Sequence, residues 1–149
     1  MKARLITIAA YVLTLVMVWC SREHIFFWDT VQFAGKHGDW YYENGLLSGL
    51  LPPHLDSGHP PLFGIYIAGL WKLFGHNLTV AHFSMLPFLF VNLWFATKLG
   101  RLVLGERCWL LVIGLLLCPF YLGQSLLVSP DIILVTGFLV SMYGLLAKR

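Results

Sequence analysis

Charge is what this sequence has least of: 11% of its 149 residues are Asp, Glu, Lys or Arg, against about 25% in an ordinary soluble domain. Water is therefore not the main solvent for this chain. No basic stripe runs along it, which removes the electrostatic footprint of a nucleic-acid binder, so no nucleic acid is expected among its partners. Cysteine is scarce as well. Cys20, Cys108 and Cys118 lie in or beside apolar runs and show no CxxC or Cys/His spacing, so neither a zinc site nor a disulfide framework is indicated. They read as small packing residues. The G-x-S-x-G, Walker, G-x-G-x-x-G and H-E-x-x-H patterns are all missing.

What is present is apolar: 58% of the residues are hydrophobic, enough for roughly four to five spans at about 20 residues each. Leu5–Cys20 is apolar apart from Thr7 and Thr14 and reads as a first span, retained rather than cleaved, because no A-x-A site follows it. Pro60–Gly75 is apolar but short. Val80–Thr97 makes a longer run, interrupted by Pro87 and Asn92, and Cys108–Leu122 another, with Pro119 inside it. Ile132–Leu146 is the last, ending in Lys148-Arg149. The expected fold is all-α and integral to the lipid bilayer, with four to five hydrophobic helices. Residues 1–21 form the first span, 22–61 an external polar loop, and 62–149 the further membrane helices.

The polar loop holds most of the acidic residues. Arg22, Glu23, Asp29, Lys36, Asp39, Glu43 and Asp56 fall there, with His24, His37, His54 and His59. Phe26, Phe27, Trp28, Phe33, Trp40, Tyr41 and Tyr42 are interleaved with them, the pattern of juxtamembrane helices at headgroup level. Asn44-Gly45 and Leu51-Pro52-Pro53 predict turns between such pieces.

Topology depends on Pro60–Gly75. If it crosses, five spans put the basic connector Lys98–Arg107 and Lys148-Arg149 outside, against the positive-inside tendency. If it is re-entrant or interfacial, four spans place both inside, and Asp131 joins Asp29 and His59 on the outer face. The second arrangement is the one the charges favour.

Three places could carry chemistry. Asp29 follows an aromatic cluster and is a candidate base, or alternatively the N-cap of a helix over 30–37. His59-Pro60-Pro61-Leu62 sets a titratable side chain before a rigid helix entry, where free N–H groups suit a phosphate, or where the histidine is merely interfacial. Asp131 opens an apolar helix after Pro130 and is again either functional or a cap. A divalent metal is conceivable from His24, His37, Asp39, Glu43, His54 and Asp56, although no spacing among them is diagnostic.

The order of these features resembles the N-terminal part of the GT-C class of polytopic membrane glycosyltransferases. Trp28-Asp29, His59-Pro60-Pro61-Leu62, Leu73-Phe74-Gly75, Leu99-Gly100-Arg101, Leu104-Gly105-Glu106-Arg107, Pro119 and Ser129-Pro130-Asp131 follow one another as in those enzymes. The nearest groups are the protein O-mannosyltransferase, aminoarabinose transferase and rhizobial lipopolysaccharide glycosyltransferase families. The resemblance implies transfer of a sugar from a polyprenyl-phosphate carrier to a glycan, lipid or protein acceptor, in the bacterial inner membrane with the active face outside. It implies Asp29 as base, Asp131 as a second acidic residue of the active site, and His59, Pro60 and Pro61 as the carrier-phosphate contact. His59 stands where relatives carry lysine, and Asp29-Thr30 where many carry Asp-Glu. The chain is shorter than whole enzymes of this class, which is expected of a fragment or a reduced protein. The competing expectation is a non-catalytic membrane subunit or lipid-binding interaction protein.

Overall fold

The computed structural model describes residues 2–148 and is helical throughout, with no strand among the described residues. Met1 and Arg149, at the ends of the expected first and last segments, lie outside them. The helices are α1 (Lys2–Ser21), α2 (His37–Asn44), α3 (Leu62–Phe74), α4 (Leu78–Phe83), α5 (Leu86–Leu104), α6 (Trp109–Leu117), α7 (Pro119–Ser125) and α8 (Asp131–Ala147). A π-helical stretch, Val31–Lys36, leads directly into α2.

The expectation of four to five membrane-crossing helices is met only in part. Two stretches are long and apolar enough to cross: Ala3–Ser21 and the run Leu78–Arg107. α3 has 13 residues, about 20 Å of helix against a hydrocarbon core of about 30 Å. The expected helix over Cys108–Leu122 is broken. Cys118 adopts ψ 116, an extended conformation, and Pro119 starts α7. The cause is local, since the Pro ring disfavours the α region for the residue before it.

α1 leaves Leu5, Ile8, Val12, Leu13, Val16 and Trp19 exposed. Its other side meets α5 and α6, where Ala10 packs with Leu93, Ala96 and Val112, and Tyr11 Oη donates to the Phe90 carbonyl at 3.2 Å. α8 lies on α5: Asn92 Nδ2 donates to the Ile132 carbonyl at 3.4 Å, and Lys98 Nζ sits between the Trp94 and Tyr143 rings.

The polar segment is ordered by close approach to α3. α2 ends at Asn44, and Gly45 follows with φ +102, where the Asn-Gly pair predicts a turn. α2 and α3 cross at glycines. A Cβ on Gly64 would stand 2.5 Å from His37 Cβ, and one on Gly38 2.9 Å from the Trp71 ring. That crossing extends into one buried cluster that joins Ala34, Phe63, Ile67 and Trp71 to Val18, Met85, Leu89, Tyr121, Val128 and Ile132. Segments from both ends of the sequence thus share a core, and this places residues 27–33 beside residues 124–131.

Candidate functional site

A cleft of about 160 Å³ opens between those two segments. One wall is Phe27, Trp28, Asp29, Thr30 and Phe33; the other is Gln124, Leu127, Ser129, Pro130 and Asp131. Two of the acids singled out in the sequence therefore face a common space, although two thirds of the chain separates them.

The first wall is built on a tight turn. Thr30 is buried, and its hydroxyl accepts from the Phe27 N–H at 2.8 Å and donates to the Phe27 carbonyl at 2.6 Å. The Val31 N–H donates to the Trp28 carbonyl at 3.1 Å. Within this turn Trp28 has φ +56, the one non-glycine residue with positive φ among those described. A left-handed backbone at a residue with a Cβ costs about 1–2 kcal/mol. Such strain persists where the surroundings impose it, and it concentrates at functional sites.

The second wall follows the same plan. Buried Ser129 accepts from the Asp131 N–H through Oγ at 3.2 Å, and the Pro130 carbonyl accepts from Ile133 and Leu134. On both walls a neighbouring hydroxyl holds the turn, and the helix-capping role that the sequence offered as an alternative is taken by neither acid. The Asp29 and Asp131 carboxylates are exposed and have no hydrogen-bond or ion-pair partner among the described residues. No Lys, Arg or His lines the cleft.

The His59-Pro60-Pro61 segment lies next to this space but does not line it. The exposed His59 ring meets Phe33 edge-on with centroids 4.8 Å apart, and its Nδ1 donates to the Ser57 carbonyl at 3.0 Å. Phe33 thus touches both the cleft and the histidine. Pro61 precedes α3, and its carbonyl accepts from the Ile65 N–H at 3.0 Å.

The residues named as metal ligands scatter. No group of three or more His, Cys, Asp or Glu converges among the described residues. Asp39 pairs with His76 at 2.9 Å, on a ring stacked against Tyr42. Asp56 accepts from the Gly58 N–H at 2.8 Å. His37 is buried, with Nε2 donating to the Leu55 carbonyl at 3.0 Å, and the same carbonyl accepts from Gln32 Nε2 at 2.8 Å.

Burial pushes the His37 imidazole below its ordinary range. The Leu55 carbonyl and Asp56 oppose this, and His59 adds to it. The folded chain therefore holds this ring neutral where the unfolded chain protonates it. Its contribution to stability is complete above about pH 6.5 and is lost progressively as pH falls below that value. Thermal melts over that range should show a steeper acid loss for the native chain than for His37→Gln. Equal slopes would remove His37 as the cause.

Sequence reasoning did not single out Gln124, Ser129 or Phe33 as cleft residues. Gln124 carried a signal, being a strongly polar side chain between two apolar runs. Its amide makes no hydrogen bond among the described residues. Comparison with protein-family models, curated proteins and solved structures finds no match for this chain.

Proposed function

We propose that this chain contributes the catalytic cleft of a membrane glycosyltransferase of the GT-C type, using a polyprenyl-phosphate-linked sugar. The observation that supports it is the cleft itself: Asp29 and Asp131 line it from opposite walls, and neither carboxylate has a hydrogen-bond or ion-pair partner among the described residues.

In this reading Asp29 takes the proton of the acceptor hydroxyl. The hydroxyl oxygen bonds to the anomeric carbon, the bond from that carbon to the carrier phosphate breaks, and the phosphate leaves with the electron pair. Asp131 hydrogen-bonds the acceptor and fixes its approach, the positional half of such a catalysis. Two carboxylates and no cation make the cleft hostile to a phosphate. The carrier headgroup therefore rests outside it, at His59 and the entry to α3, with Phe33 between phosphate and acids.

The topology belongs to the same proposal. α1 carries the chain out and the Leu78–Arg107 run carries it back. The broken α6–α7 pair then returns it to the outer face, where Asp131 meets Asp29, and α8 descends again. The exposed apolar face of α1 is solvated by lipid tails. A single cysteine replacing Arg101 should react with a membrane-impermeant thiol reagent only after the inner face is opened. Labelling in intact cells would overturn this arrangement. The activity is tested by transfer from a radiolabelled polyprenyl-phosphate sugar in membranes carrying the chain, where no product above vector-only membranes would sink the reading.

A further inference from the structure

We propose that Trp28 is the residue that selects the ligand of the cleft. It is a stacking platform for an uncharged, polyhydroxylated ring, whose hydroxyls are read by the Gln124 amide on the opposite wall. The proposal deepens the sugar-transfer reading and rests on it for the ligand class, but it can be tested without turnover.

Trp28 combines two properties that packing leaves unexplained. The residue is 76% exposed, so burial contributes little, yet its backbone is held left-handed. A tryptophan that only anchors the chain at the headgroup level has no need of that backbone. The turn that imposes it, fixed by Thr30, sets the indole into the rim of the cleft beside Asp29, edge-on to Phe27 with centroids 6.0 Å apart. Across the space, Gln124 offers one acceptor and two donors with no partner among the described residues.

The chemistry of the lining decides the ligand. With both carboxylates unneutralised and no cation present, an anionic ligand is repelled. A saturated ring bearing hydroxyls has a C–H face that lies against the electron-rich face of an indole. Its hydroxyl edge satisfies an amide and carboxylates. The volume of about 160 Å³ equals roughly five waters at about 30 Å³ each, the scale of one such ring.

The probes are methyl β-glucopyranoside and methyl α-mannopyranoside, with saturation-transfer NMR on the detergent-solubilised chain. Ring C–H signals are expected from the native chain and from Trp28→Phe. They should fall to background in Trp28→Gly and lose most of their intensity in Gln124→Ala. Because glycine relieves the left-handed position, Trp28→Gly should also melt about 2–4 °C higher, so loss of binding coincides with a gain in stability. A role confined to folding would show the reverse. Absence of signal from the native chain overturns the proposal, and so does signal that survives Trp28→Gly. Should Trp28→Gly fold poorly, Gln124→Ala decides: unchanged melting with lost signal supports the proposal, and retained signal overturns it. A chain that binds glycosides but transfers nothing keeps this inference and loses the enzyme. Transfer whose KM is indifferent to Trp28→Gly does the opposite.

Discussion

Asp29→Asn should lower sugar transfer by about 10²–10⁴-fold, the usual contribution of a positioned general base, which is about 3–5 kcal/mol at the transition state. The substitution keeps the shape of the side chain and removes only its basicity. Stability should barely move, because the carboxylate is exposed and the hydrogen bonds of the turn belong to Thr30. KM for the carrier-linked sugar should also hold, since the proposed phosphate contact is at His59 and not at Asp29. The measurements are initial rates in membranes alongside a thermal melt of the purified chain. A rate within threefold of native would remove Asp29 from the base's role. A rate loss accompanied by a large drop in melting temperature would mean that the turn, rather than the proton acceptor, had been damaged.

Gly64→Ala should be the most destabilising small change in the polar cap. Within a helix, alanine is favoured over glycine by about 1 kcal/mol, so propensity alone predicts a gain. The new methyl would, however, stand 2.5 Å from His37 Cβ, 3.0 Å from the His37 carbonyl carbon and 3.1 Å from the Gly38 nitrogen. Backbone atoms cannot swing aside as a long side chain does, and overpacking of this kind costs about 1–3 kcal/mol. The clash should win, separating α2 from α3 and loosening the His37–Leu55 contact. Gly69→Ala is the control on the same helix. Its Cβ would meet only Leu46 Cδ1, at 3.8 Å, so it should be neutral or stabilising. Thermal melts of the two variants, with limited proteolysis of the segment 45–61, check the contrast. Equal stabilities would show that the crossing tolerates the extra atoms.

The all-helical class was readable because long apolar runs with few charges admit little else. The internal prolines were harder. Pro119 was visible in a run read as one helix, but its effect falls on Cys118, a residue with no preference of its own against helix. The length of α3 was limited by Gly75 at φ +103, which agrees with the reading of 60–75 as too short to cross. The acids were found as types in plausible places. Their meeting across a cleft was not legible, since it depends on the shared core of Ala34, Val128 and Ile132. The part played by the Thr30 and Ser129 hydroxyls in holding the two turns was equally hidden: a hydroxyl beside a carboxylate leaves open which of them bonds the backbone. Trp28 ran against its type, because glycine and asparagine are the residues expected at positive φ. Its conformation follows from the reciprocal Thr30–Phe27 hydrogen bonds, which a scan for local preference does not see.

The distance in sequence between the two cleft walls also has a consequence during synthesis. The Phe27–Thr30 turn closes over four residues and can form as soon as it has been synthesised. The opposite wall emerges roughly a hundred residues later, about 5–20 s at ordinary elongation rates. For that interval the exposed indole and its acid stand with nothing opposite them, and the cleft is assembled only when the start of α8 arrives. A ribosome stalled before Ser129 would therefore hold a chain with one wall and no cleft.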